Sequence, residues 1–184
     1  MSNLRSHARN NRVVGARLLP GTTVIAVVFL LAKIVTAQST NAVCLTPSLL
    51  PAGLYDNSLQ QTPCKVAAVV WSPCVGSNNI NNISVGESYA SPTPNGCACS
   101  SVFYSLVSAC ALCQNGTTTT WSAWVKNCTI TETTVAGYPY ALPSGIAVPH
   151  WAYIDPTITD NFDVAAASTM GGTSSTDRTR LYVI

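Results

Sequence analysis

Eight side chains in this sequence could do redox or metal chemistry: Cys44, Cys64, Cys74, Cys97, Cys99, Cys110, Cys113 and Cys128. Two close pairs, Cys97-Ala98-Cys99 and Cys110-Ala111-Leu112-Cys113, have spacings that could assemble a four-thiolate zinc site. The second pair is also a Cys-x-x-Cys, the spacing of a thioredoxin-like dithiol. That chemistry requires a strand ahead of the pair in a βαβ unit. What precedes Cys110 is a helical pattern, so the redox reading loses its frame. The even count leads to a third possibility, a framework of four disulfides, provided the chain folds in an oxidising compartment. Spacing alone does not choose among the possible pairings.

Three Asn-x-Ser/Thr sequons favour that compartment: Asn82-Ile83-Ser84, Asn115-Gly116-Thr117 and Asn127-Cys128-Thr129. The N-terminus agrees. Residues 1–37 contain Arg5, Arg9, Arg12, Arg17 and Lys33 without an acidic residue, and within them the basic n-region is followed by an apolar run from Val24 to Ala32. Val35 and Ala37 suit the −3 and −1 positions of a signal-peptidase site, with Gln38 as the new N-terminus. A spanning helix needs about 20 apolar residues. The run here is much shorter, so a cleaved signal peptide is expected, with an uncleaved anchor over residues 22–37 as the alternative. In that compartment thiols form bridges, and neither zinc nor any other metal or cofactor is expected.

Other reactive residues are sparse. Beyond the leader the sequence has one histidine, His150, which a Ser–His–Asp arrangement could pair with Asp155. No Gly-x-Ser-x-Gly elbow accompanies it, and a packed or surface histidine is the simpler reading. Asp155, Asp160 and Asp163 could supply paired carboxylates, but their setting reads as a solvated turn. No catalytic residue is assigned. Trp121-Ser122-Ala123-Trp124 resembles the tryptophan C-mannosylation signal of thrombospondin-type repeats, without the arginine ladder of those repeats. Two core anchors at helical spacing is the simpler alternative. Trp121, Trp124, Tyr138, Tyr140 and Trp151 could also form an exposed face that stacks on sugar rings.

The elements that must position these residues can be read from caps and periodicity. Thr62 as N-cap and Pro63 at the first helical position start a short buried helix, for which Pro73 marks the stop. Residues 75–96 are rich in Gly, Pro, Asn and Ser and read as a loop. Ser100 caps the clearest helix, with Val102, Phe103, Leu106, Val107, Cys110 and Cys113 on one face and Asn115-Gly116 ending it. Residues 121–128 read as a third short helix. Tyr138–Pro143 and Pro149–Tyr153 look extended and wrap the helices. Residues 165–184 read as a disordered tail behind a cysteine-rich extracellular domain at 38–164. The expected fold is therefore small, mainly α and disulfide-rich: two or three short helices, about four disulfides and an extended Pro/aromatic C-terminal segment.

Composition limits the function further. Only 9% of the 184 residues are charged while 47% are apolar, against roughly 25% charged in an ordinary soluble domain. The leader holds five of the nine basic residues, leaving the body with four basic and seven acidic residues, a net charge of −3. An ordinary basic nucleic-acid surface is excluded, as is a highly charged disordered chain.

Several motifs also carry family resemblances. The absence of adjacent cysteine doublets rules out a hydrophobin. Cys97-x-Cys99, Cys110-x-x-Cys113 and Cys128 are similar to the last five cysteines of the extracellular CFEM family. The aspartate that ligates haem iron there has no counterpart, because Pro92-Thr93-Pro94-Asn95-Gly96 occupies its place. Four further stretches are Thr62–Ala68, Cys97–Cys110, Trp121-Ser122-x-Trp124 and Pro149–Asp155. On these the chain resembles an uncharacterised family of cysteine-rich secreted or single-pass surface proteins from mushroom-forming fungi. The resemblance covers roughly residues 40–165 and implies location and architecture without an activity. Members often continue into a Ser/Thr-rich stalk and a transmembrane helix. This chain stops at Ile184, so a truncated or purely secreted form is expected.

The resulting expectation is a non-enzymatic, N-glycosylated structural or interaction ectodomain whose partners are cell-wall glycans or surface proteins. A carbohydrate-binding module is the alternative, and a small secreted hydrolase a more distant one.

Overall fold

The computed structural model describes residues 40–45, 49–51, 53–77 and 79–170. The leader over 1–37, its cleavage between Ala37 and Gln38, and the tail beyond Met170 lie outside the described residues. Among the described residues the fold is small and mainly helical, with four disulfides and almost no strand.

Helix α1 spans Pro63–Val75. Thr62 is in extended conformation and its hydroxyl accepts the Lys65 N–H, while Pro63 spends no donor at a position where the helix has no acceptor to offer. The helix does not stop at Pro73, as its sequence suggests; Pro73 lies inside it and Gly76, at φ 68°, provides the left-handed end. Proline cannot donate to the carbonyl four residues back. The Ser72 hydroxyl supplies that carbonyl, Val69 O, with a donor at 2.8 Å.

Helix α2, Ser101–Cys113, is the centre of the molecule, with twelve of its thirteen residues buried. Its apolar periodicity suggests one buried face, but a helix surrounded by packing partners on all sides buries its small polar residues too. Ser105 and Ser108 are buried with it. Ser100 caps its start by accepting the Phe103 N–H. At its end Asn115 adopts φ 61°, donating from its N–H to Leu112 O, while Gly116 N–H reaches Ala111 O. This pair of bonds is a Schellman ending, with asparagine in the left-handed position.

The third helix, α3, is one turn, Trp121–Trp124, capped by the Thr120 hydroxyl. It does not extend through Cys128. The chain turns instead, with Cys128 N–H bonded to Val125 O, and this brings Cys128 to Cys99. The aromatic segment that follows has no strand, and it does wrap the helices. The Tyr138 hydroxyl donates to Val70 O of α1, and residues 145–147 are held by side chains of the N-terminal loop. A 3-10 turn at His150–Tyr153 packs on α2 and places Trp151 in the core.

The region read as a tail from residue 165 starts as a helix. Helix α4, Val164–Met170, packs against the 3-10 turn with Ala167 fully buried. Asp163 supplies its cap, accepting the Ala166 N–H at 2.9 Å. Low sequence complexity hid this element, although alanine is the strongest helix former and its small side chain permits close packing.

Candidate functional site

The disulfides connect the cysteines in a pattern that leaves both close pairs unbridged internally. Cys44 joins Cys113, Cys64 joins Cys110, Cys74 joins Cys97 and Cys99 joins Cys128; none is free. Cys64 lies at the start of α1 and Cys110 near the end of α2, while Cys74 ends α1 and Cys97 precedes α2. Two bridges therefore fasten the antiparallel helices at both ends. The other two tie the flanking chain, residues 40–45 and the turn after α3, to the same helix.

At one end two bridges lie side by side. Cys64 Sγ is 3.5 Å from Cys113 Sγ and 3.8 Å from Cys44 Sγ. The sulfurs of Cys44, Cys64 and Cys113 all lie within 4.8 Å of one another, a spacing compatible with metal ligation. The ligand form of cysteine is the thiolate, however, and each of these sulfurs is bonded to another. What the cluster does instead is anchor polar side chains. The buried Gln114 amide donates to Cys110 O at 3.1 Å and to the Tyr89 hydroxyl at 2.8 Å, and its oxygen accepts the Ile83 N–H. Tyr89 in turn donates to Asn81 O and lies 3.4 Å from Cys110 Sγ. Burial pushes the Tyr89 phenol above its usual pKa, against a smaller lowering by Gln114. Gln114 thus clamps the loop 81–89 onto the sulfur cluster.

All three sequon asparagines are exposed. Asn82 and Asn115 lie on neighbouring segments. Gly86 N–H bonds to Asn115 O, Thr117 N–H to Glu87 O, and a Cβ on Gly116 would stand 2.7 Å from Ile83 Cδ1. Asn82 Oδ1 accepts the Val43 N–H at 2.8 Å. The third sequon is different: Cys128, its middle residue, is bridged to Cys99. Thr129 is engaged by Glu132, whose Oε2 accepts both the Thr129 N–H and its hydroxyl.

The aromatic face read from the sequence is not assembled. Trp121, Trp124, Tyr138 and Trp151 are all buried, and Tyr140 alone is exposed, at 42%. The physical reason is packing on α2. Tyr104 meets Trp121 at 5.3 Å and Trp124 at 5.8 Å, and Phe103 meets Trp124 at 6.1 Å, between ring centroids. The Trp124 indole N–H is satisfied by Ala98 O. Trp151 packs edge-on against Phe162, and Tyr138 lies against Tyr140. Tyr140 itself covers Gly96, where a Cβ would meet its hydroxyl at 2.5 Å. Burial raises the Tyr104 phenol to about 12, against smaller lowerings by hydrogen bonds with Ser108 and the Phe162 backbone and with a lesser raising by Asp160.

The reactive polar residues serve as structural caps. Asp155 Oδ1 accepts from the N–H and hydroxyl of Thr157. Both carboxylate oxygens of Asp160 are taken by Ser122, one by its N–H and one by its hydroxyl, each at 2.7 Å. Asp163 caps α4. His150 Nδ1 is buried without a hydrogen-bond partner among the described residues.

Two residues outside every motif, Asn57 and Gln61, hold the wrapping segment. Asn57 Nδ2 donates to Ala147 O and to Gln61 Oε1, while Gln61 Nε2 donates to Gly145 O. Both side chains are buried. Their only local sign is the placement of amides between turn-forming residues. Comparison with known proteins finds no matching family model, no matching curated protein and no matching solved structure for this chain.

Proposed function

We infer that the chain is a secreted or cell-surface cysteine-rich glycoprotein, a structural or interaction ectodomain without catalytic activity. The observation that carries this reading is the complete pairing of eight cysteines into four bridges, the state that an oxidising, extracellular setting maintains. Three exposed sequons support it, as does the basic and apolar leader read from the sequence. So does the use of Asp155, Asp160 and Asp163 as turn and helix caps. Among the described residues no helix is long and apolar enough to cross a membrane. The resemblance to surface proteins of mushroom-forming fungi points to cell-wall glycans or surface proteins as partners. With four of the five aromatic side chains buried, an aromatic sugar platform is not part of the proposal.

The test is expression of the full chain with its own leader in a eukaryotic host, followed by fractionation and thiol counting in denaturant. Recovery from the medium or cell surface with no free thiol is expected. Retention in the cytosol, or two or more free thiols per molecule, would overturn the reading.

A further inference from the structure

We propose that Asn127 is a conditional glycosylation site, occupied only in chains glycosylated before Cys128 is bridged to Cys99. This rests on the secretory reading above. The argument begins with two modifications that meet on consecutive residues: Asn127 is the acceptor, Cys128 is the middle residue of its sequon, and Cys128 is bonded to Cys99 with Cα atoms 5.9 Å apart.

The transferase must draw an acceptor sequon into its own binding site and read the hydroxyl of the Ser or Thr at the third position. In the bridged structure neither is free to be drawn out. Cys128 N–H is held by Val125 O, and the Thr129 hydroxyl donates to Glu132 Oε2 at 2.9 Å. The Glu132 and Thr133 N–H groups both return to Thr129 O. Cys99 meanwhile is fully buried at the foot of α2 and bonded through its backbone to Thr134. Closing the bridge therefore fastens the sequon against the central helix.

The other two sequons are also held by hydrogen bonds, such as Thr117 N–H to Glu87 O and Val43 N–H to Asn82 Oδ1, but neither contains a bridged cysteine, since their middle residues are Ile83 and Gly116. They act as internal controls within the same molecule.

The two reactions are chemically independent and compete only through access. Glycosylation joins Asn127 Nδ2 to the anomeric carbon of a polyprenyl-pyrophosphate-linked oligosaccharide; the lipid pyrophosphate leaves and the amide nitrogen loses one proton. Bridging converts the thiols of Cys99 and Cys128 to a disulfide, and a protein disulfide donor takes up their two electrons and two protons and leaves as a dithiol. Cys99 precedes Cys128 by 29 residues, so the partner is already present when Cys128 emerges. Disulfide exchange and chain synthesis both proceed on a scale of seconds upward, which makes the outcome a race.

The experiment is site-by-site occupancy by glycopeptide mass spectrometry on the full chain, made in a eukaryotic secretory host and recovered from whole cells and medium together. Recovery from both keeps variants that fail to leave the cell measurable. In the wild type, Asn82 and Asn115 are expected to be filled and Asn127 partly filled. If about half the chains bridge first, Cys99→Ser, which leaves the sequon untouched, raises Asn127 occupancy about twofold. Cys128→Ser, which preserves an Asn-x-Thr sequon, does the same. A Cys74→Ser/Cys97→Ser pair removes a bridge elsewhere and leaves Asn127 at its wild-type level.

Full occupancy of Asn127 in the wild type, or no rise in either single variant, overturns the proposal. A rise in the Cys74/Cys97 variant as large as in Cys99→Ser also overturns it, since misfolding rather than the local bridge would then set access. If Asn82 and Asn115 are empty as well, the secretory reading fails and the proposal falls with it.

Discussion

Single residues do unusual work at close approaches. Gly116 leaves no room for a side chain: a Cβ there would stand 2.5 Å from Glu87 O and 3.0 Å from Ala111 O, both backbone atoms. Gly116→Ala is expected to destabilise by about 1–3 kcal/mol, the usual cost of overpacking, read as a lower urea midpoint at unchanged slope. Tyr104 sets a pH limit. Its phenol ordinarily ionises near 10.0 and is raised to about 12, so the fold holds that proton more tightly than the unfolded chain does. Its contribution is intact below pH 10 and is lost as the pH rises through 12. A phenolate absorbance titration should show a late-ionising component that Tyr104→Phe reduces by one equivalent. Equal titration curves for the two proteins would refute this. The sequence exposed such residues unevenly. Gly116 stands out beside Asn115 as a helix ending, whereas nothing local marks Tyr104, whose neighbours Trp121 and Trp124 arrive from a different segment.

Among the elements, the starts of α1, α2 and α3 were legible, as was the end of α2 at Asn115-Gly116, whereas the ends of α1 and α3 were not. Thr62-Pro63 and Ser100 act as caps because a cap needs only residues two or three positions away. Pro73 misleads because the missing donor is replaced by a neighbouring side chain. That substitution makes a prediction. Ser72→Ala should cost about 1–3 kcal/mol by stranding the buried Val69 carbonyl. In a Pro73→Ala background the restored backbone N–H can serve that carbonyl, so the same change should cost little. Additive losses in the double-mutant cycle, measured by denaturant unfolding, would show that Ser72 is not the substitute donor. The extent of α3 and the existence of α4 were hidden for a related reason. Cys128 is pulled aside by Cys99, and α4 depends on packing against the 3-10 turn.

For the molecule as a whole, the mainly helical, disulfide-rich fold was readable from composition, spacing and cysteine count. The pairing was not, because it depends on α1 and α2 lying antiparallel. The aromatic platform failed for the same reason, since amphipathic rings read as exposed become core once α2 is buried on every side. Each bridge is expected to contribute about 2–4 kcal/mol to a fold whose total is about 5–15 kcal/mol. Full reduction should therefore abolish the near-ultraviolet circular dichroism of the packed tryptophans, while Cys74→Ser/Cys97→Ser alone lowers the melting temperature of a still-folded protein. Retention of the full signal after complete reduction would mean that the apolar core suffices.

The order of the bridges along the chain has one more consequence. Cys44–Cys113 encloses Cys64–Cys110, which encloses Cys74–Cys97, and Cys99–Cys128 overlaps the far end of the outermost. Every peptide bond between Cys44 and Cys128 is thus spanned by at least one covalent crosslink. A protease that cuts once anywhere in that interval, including the long exposed loop before Cys97, adds a water molecule and releases nothing. The nicked protein keeps its size until a reductant is added, whereas a cut after Cys128 sets free whatever follows it, held only by packing. A chain wired in this way holds together through digestion of its middle and can lose only what lies before Cys44 or after Cys128.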